Sequence, residues 1–345
     1  MRVFYQADQL RHDPQFFLMR GRVVPCFEVP QRATALLAGA EALGLAIVTA
    51  PVTEPKLLGR VHTPDYLAFL RDGWREWAAL PQPGPEIVPN IHPTPEMIAQ
   101  GGRVGTGIVS QAGWYTADTA CAIGEPTWAS AIAAAACADA AAAEVAAGAR
   151  SAYALCRPPG HHAYAGRAGG HCFLNNSALA AAHLRQAGAA RVAVLDIDSH
   201  HGNGTQGIFW DRNDVLTVSV HGDPNFYYPW YVGHGEEIGG AGAEGCNLNH
   251  PLPRGAGDGP WLAAIESGCA AIRRFGADAL VLALGFDASA DEPLGFLDVS
   301  DDGFARAGAL AAGLGLPTVI VQEGGYAVAS LPRLLGRFMG GFGGG

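Results

Sequence analysis

The sequence predicts an α/β fold, a single parallel β-sheet flanked by helices on both faces. Five short runs in the second half, residues 152–156, 191–197, 215–220, 280–284 and 317–322, are almost continuously apolar, as strands buried on both sides are. Helical stretches at 176–186, 261–275 and 302–312 separate most of them, and strand–helix alternation produces parallel pairing. With 345 residues, 49% of them hydrophobic, the chain can fill a sizeable core and shows no signature of disorder. One large domain or two smaller ones would fit that length.

Taken in order, the elements sharpen this reading. The opening MRVFYQADQLRHDP lacks the apolar stretch of a secretory leader. Seven cysteines, an odd number without C-x-x-C spacing, read as reduced thiols in a cytoplasmic protein. Residues 80–126 are proline-rich and aromatic with little periodicity. A stretch of that kind is usually functional, and Trp114 and Tyr115 suggest an active-site rim or a dimer contact. The alanine run after Trp128 is broken by Asp139 and Glu144, so it reads as a soluble helix rather than a membrane span. A net charge of −10 without a Lys or Arg run argues against nucleic acid as a main partner. The same charge suits a cationic ligand.

Each expected strand ends in reactive residues. RPPGHHA brings His161 and His162, DIDSHHGNG brings Asp196, Asp198 and His200, and SVHGD brings Ser219 and His221. LGFDASAD brings Asp287, and QEGGYA brings Tyr326. Each cluster alone has an ordinary reading, such as a helix N-cap for an aspartate. Parallel sheets, however, place ligands outside the carboxyl ends of their strands, so the five clusters should converge. Asp196, Asp198 and His200 alternate along the chain and would share one strand face. Two carboxylates and an imidazole there need a positive charge among them. Asp198, His200 and Asp287 form a ligand set that suits a catalytic zinc. The histidines suit proton transfer, and Tyr326 suits donation to a developing oxyanion. The assembly describes metal-assisted hydrolysis of an amide or ester, and no G-x-S-x-G motif calls for a serine nucleophile. A two-metal site would need further carboxylates where the chain has Gly202 and Ser289, so one metal is expected.

RPPGHHA, GGHCFLNN, DIDSHHGNGTQ, LGFD and EGGY, with VPCFEVPQRA and VHTPDYLAFL nearer the start, resemble the zinc-dependent histone deacetylase superfamily. The likeness is greatest to its bacterial acetylpolyamine amidohydrolases and deacetylase-like amidohydrolases. The resemblance implies the arginase–deacetylase fold and a single catalytic domain over 1–345. It implies Zn²⁺ on Asp198, His200 and Asp287, with His162 as general base and acid oriented by Asn203, and His161 paired with Asp196. Tyr326 would bind the substrate carbonyl, and the Gly170 carbonyl would accept the substrate N–H. A structural K⁺ would sit on the Asp196 carboxylate, the Ser219 hydroxyl and main-chain carbonyls of Asp198, His200 and Val220.

The resemblance further implies a substrate tunnel. Tyr228 would form one wall, and His171 stands where the family usually has an aromatic residue. Asp118 is the acidic residue expected to meet a distal ammonium, while Leu294 resembles the apolar rim residue of lysine deacetylases. A protonated His171 would repel a cation. The expected substrates are small N-acylated amines, acetylpolyamines or acetyllysine, handled by a homodimer without nucleic acid or membrane. The alternatives are hydrolysis of small neutral amides, or a non-catalytic metal-binding scaffold that would have lost Tyr326 or the histidine pair before its metal ligands.

Overall fold

The computed structural model describes residues 1–51, 56 and 58–343. Its strands are β1 (Arg2–Tyr5), β2 (Phe17–Met19), β3 (Arg22–Val24), β4 (Ala46–Thr49), β5 (Ser151–Ala154), β6 (Val192–Asp196), β7 (Val215–Gly222), β8 (Asn247–Leu252), β9 (Ala279–Leu284) and β10 (Thr318–Gln322). Its helices are α1 (Gln31–Ala42), α2 (Leu58–Val61), α3 (Pro64–Ala78), α4 (Pro95–Ala99), α5 (Ile108–Tyr115), α6 (Thr127–Ala146), α7 (Asn176–Gln186), α8 (Asn203–Phe209), α9 (Asp258–Phe275), α10 (Asp301–Ala312) and α11 (Leu331–Gly343). Strands β2 and β3 form a separate hairpin, and the other eight make one sheet in the order β4-β1-β5-β10-β9-β6-β7-β8. Every pair in that sheet is parallel.

All five expected strands are present. Along each, alternate side chains enter opposite layers, as the pleat requires. Val192, Val194, Val281, Val319 and Val321 join a core with Ala134, Ala138 and Leu179 of α6 and α7. Their neighbours Ala193, Leu195, Leu280, Leu282 and Ile320 join a second core with Trp261, Phe304 and Phe338 of α9, α10 and α11. Each buried Val, Leu or Ile contributes about 1.5–3 kcal/mol of apolar transfer, so these central strands hold the sheet against both layers.

Three sheet strands were not anticipated. β1 and β4 have four residues each, too short for a periodic signal. β8, at the sheet edge, reads NLNHPL and mixes polar with apolar positions. α6 is apolar and long enough to cross a bilayer, but 61% of that window is buried inside the molecule. Its alanines bring the helix close to the sheet, as a core helix requires.

The segment 80–126 departs from the loop expected there. It contains α4 and α5, and an antiparallel bridge between Ile87 and Ile123 closes its two ends together. Within it Tyr115 is buried against Phe69, ring centroids 5.1 Å apart. Trp114 stays partly exposed, with the Arg167 guanidinium over its ring.

Candidate active site

β6 ends at Asp196, so Asp198 and His200 lie beyond the strand and not on its face, as alternation alone had suggested. Hydrogen bonds maintain their spacing instead. Asp196 Oδ1 accepts the Asp198 N–H at 3.1 Å, and Asp198 Oδ1 accepts the His200 N–H at 2.9 Å. Each aspartate turns the chain two residues on, as Asx side chains do. Asp287 arrives from the connection after β9, and its Oδ1 accepts the Ser199 N–H at 2.7 Å. Gly324, after β10, donates its N–H to Asp198 Oδ2 at 2.8 Å. A Cβ at Gly324 would stand 2.3 Å from Asp287 Oδ2, so only glycine lets this backbone approach both carboxylates.

Ligand atoms of Asp198, His200 and Asp287 consequently lie within 4.8 Å of one another, all buried. His200 Nδ1 is 3.2 Å from Asp198 Oδ1 and 3.0 Å from Asp287 Oδ2. Burial opposes charge on His200, but Asp287 and Asp198 raise its pKa to about 9. Burial and then Asp198 push Asp287 above the usual carboxylate range. Two buried carboxylates converging on one imidazole are costly unless a cation is shared among them. Two oxygens and one nitrogen are a donor set that fits a small divalent transition ion.

The histidine pair follows β5. Glu323 fixes its loop: Oε2 accepts the N–H groups of Gly160 at 2.6 Å and His161 at 3.0 Å, and Oε1 accepts the Ser177 hydroxyl at 2.7 Å. His161 Nδ1 lies 2.9 Å from Asp196 Oδ2, and His162 Nδ1 lies 2.6 Å from Asn203 Oδ1. The rings stand 4.0 Å apart, yet their electrostatics diverge. Burial opposes charge on His161, but Asp196 and Asp198 raise its pKa well above the ordinary value. Burial, then His161 and His200, lower that of His162 well below it. An amide oxygen only accepts. His162 thus carries its proton on Nδ1, which leaves the Nε2 lone pair free.

Tyr326 is buried, and burial raises its pKa well above 10, so its hydroxyl keeps its proton. Arg32 of α1 lies over its ring, 4.8 Å from the centroid. The same guanidinium donates to the carbonyls of Gly325 and Glu323, both at 2.6 Å. Glu28 pairs with Arg32 at 2.7 Å and with Arg157 at 3.0 Å, both contacts buried.

The expected tunnel residues gather around this centre. Tyr228 meets His162 edge-on, centroids 4.8 Å apart. Gly170 has φ +51°, and a Cβ there would lie 2.4 Å from His162 Cδ2. Asp118 Oδ2 accepts the Tyr228 hydroxyl at 2.5 Å and the Gly170 N–H at 2.9 Å. Its carboxylate therefore holds two wall residues together, a task the sequence had not assigned it. His171, whose ring is 5.9 Å from that of Tyr326, is kept neutral by burial, which removes the expected repulsion of a cation. Leu294 is half-buried, and its carbonyl accepts the Tyr227 hydroxyl at 3.1 Å.

One cluster behaves differently. Ser219 sits opposite Asp196 in the β6–β7 register, with Val220 next along β7. His221 turns away from the ligand group: its Nε2 donates to the Gly233 carbonyl at 2.8 Å, and its Nδ1 accepts the Ser219 hydroxyl at 2.8 Å. Sequence reasoning also missed Glu323 and Arg32, although both lie inside quoted motifs. It missed Tyr227, which stacks on His200 with centroids 4.4 Å apart.

A histone deacetylase domain model matches residues 26–341. An acetylpolyamine amidohydrolase of Burkholderia pseudomallei is 46% identical, covering 99% of this chain and 99% of its own. Acetylpolyamine amidohydrolase 1 of Pseudomonas aeruginosa is 42% identical, covering 95% and 94%. The crystal structure of the acetylpolyamine aminohydrolase from Burkholderia pseudomallei superimposes with a TM-score of 0.95 at 45% identity, over 99% of this chain and 98% of that one.

Proposed function

The chain belongs to the histone deacetylase domain family, and from that premise we propose that it is a zinc-dependent amidohydrolase that deacetylates small N-acetylated amines, acetylpolyamines foremost. One observation carries this reading. The Asp198, His200 and Asp287 ligand atoms, a neutral His162 and the Tyr326 turn meet beyond the carboxyl ends of β5, β6, β9 and β10.

Asp198, His200 and Asp287 would hold the zinc. A divalent ion held there would supply Lewis acidity toward the amide carbonyl and the attacking water. His162 takes the water's proton on Nε2, while Asn203 keeps the ring in that tautomer. The same nitrogen then protonates the departing amine. His161, paired with Asp196, stabilises the charge balance beneath the site. The Tyr326 hydroxyl donates to the developing oxyanion, and the Gly170 carbonyl accepts the substrate N–H. Tyr228, His171 and Leu294 line the acyl-amine stem, and Asp118 keeps Tyr228 and Gly170 in register.

A structural K⁺ would use the Asp196 carboxylate, the Ser219 hydroxyl oxygen and the carbonyls of Asp198, His200 and Val220. The Ser219 proton points to His221, which leaves that oxygen's lone pairs for a cation. The protein would be cytoplasmic and form a homodimer through the 80–126 segment; monomers in light scattering at micromolar concentration would refute the dimer. The 1–345 chain would act as one catalytic domain. A second reading, hydrolysis of small neutral amides, draws on the neutral His171 and on an Asp118 carboxylate already bonded within the wall. Hydrolysis rates across acetylated diamines, acetyllysine peptides and simple amides decide between them. Preference for simple amides would sink the polyamine assignment.

A further inference from the structure

We propose that Glu292 is the positioning residue that sets where Tyr326 stands over the metal ligands. The inference rests on the reading of Tyr326 as oxyanion donor. Glu292 lies on the connection between β9 and α10 and is 8% exposed. Its Oε2 accepts the N–H of Tyr326 at 2.8 Å and that of Ala327 at 3.3 Å. Its Oε1 faces the Leu294 N–H at 3.5 Å.

Residues 323–327 form neither helix nor strand, so side chains must hold this turn in place. Arg32 grips it through the carbonyls of Glu323 and Gly325. Glu292 grips the opposite polarity, the amides of Tyr326 and Ala327. A single side-chain oxygen that accepts two successive amides fixes the orientation of both peptide planes, which suits a position that must stop a short irregular turn from rocking.

The loop carrying Glu292 also reaches the metal ligands. Two residues on, the Leu294 carbonyl accepts the Tyr227 hydroxyl, and Tyr227 stacks on His200. Tyr326 and His200 are thus referenced to one loop, Tyr326 through Glu292 and His200 through Tyr227. Burial, then Asp287, raise the Glu292 carboxyl to about 7, and the N–H groups of Tyr326, Leu294 and Ala327 offset only part of that rise.

The test is a double-mutant cycle on the metal-loaded enzyme, with a mono-N-acetylated diamine as substrate. Glu292→Ala should lower kcat by about 10²-fold with KM nearly unchanged, the effect of misplacing a catalytic group by roughly 1 Å. In a Tyr326→Phe background the same change should cost less than about 3-fold, because the group it positions is gone. Glu292→Gln, which keeps an acceptor oxygen, should restore kcat to within about 5-fold of the parent. Glu292→Asp withdraws the oxygen without emptying the space, and it carries the same cycle if the alanine variant does not fold. Additive losses in the Tyr326→Phe background, a change confined to KM, or a glutamine variant as poor as alanine would each overturn the inference. Normal turnover by Tyr326→Phe alone is a separate result: it removes the oxyanion role itself.

Discussion

Gly170→Ala probes the site where backbone presses against the His162 ring. An added Cβ would stand 2.4 Å from His162 Cδ2, 2.8 Å from its Cγ and 2.9 Å from the Tyr228 hydroxyl. Carbon atoms settle at about 3.5–4.0 Å, so the ring and residue 170 must separate by roughly 1 Å. His162 is held by one short bond to Asn203, and moving it by that amount should cost about 10²-fold in kcat/KM, or about 2.7 kcal/mol of transition-state stabilisation. The left-handed backbone, φ +51°, adds about 1–2 kcal/mol of strain, which for a chain of this size lowers Tm by roughly 1–3 °C. Gly44 separates the two effects. It has φ +68° with nothing within 4 Å of its Cβ position, so Gly44→Ala should lose stability and keep full activity. The assay is steady-state hydrolysis of an acetylated diamine, with metal content and Tm measured on each variant. Full activity in Gly170→Ala would show that His162 does not need this wall, and the reasoning would fail.

Tyr326→Phe should lower kcat by about 10²–10³ with metal content intact, and His162→Ala should be similarly damaging; wild-type turnover in either removes that residue from the mechanism. Chelation should abolish activity and Zn²⁺ or Co²⁺ should restore it at one catalytic ion per chain, so two such ions in metal analysis would contradict the ligand set of Asp198, His200 and Asp287. His62 is kept neutral by burial, its pKa lowered to about 4, so the unfolded chain takes up a proton first as pH falls. Its contribution, about 3 kcal/mol at most, is complete above about pH 6.5 and lost as pH falls towards 4; parallel Tm loss over that range in wild type and His62→Gln would refute it. His171→Phe should raise activity on acetylated diamines by giving the aliphatic stem an apolar wall, and a fall in that rate would count against a cationic substrate.

Much of this was legible because burial on both faces forces an unusual sequence. The runs that became β6, β9 and β10 can hardly be anything but central strands, and reactive residues just beyond such parallel strands gather at one end of the sheet. Asp198 and His200 were found for a reason that proved incomplete, since their spacing is kept by turns beyond β6. The burial of Tyr115 was not legible, because aromatic residues on a weakly periodic segment look alike whether they face solvent or Phe69. Glu292, Glu323 and Asp118 were harder still. Each acts on backbone amides or hydroxyls far away in the chain, and neither composition nor spacing encodes which amide a carboxylate will find.

The Arg32 contacts bear on how the molecule comes into being. Arg32 donates to the carbonyl of Gly325 across 293 positions of sequence, and β1 is flanked in the sheet by β4 and β5, with β10 next beyond. A chain emerging from the ribosome makes the helix that bears Arg32 early, but the carbonyls it must hold are among the later residues to appear. Until then neither Tyr326 nor Gly324 can take its place beside Asp198 and Asp287. Hydrolytic competence should therefore arise abruptly, only once β10 has been made and has inserted between β5 and β9.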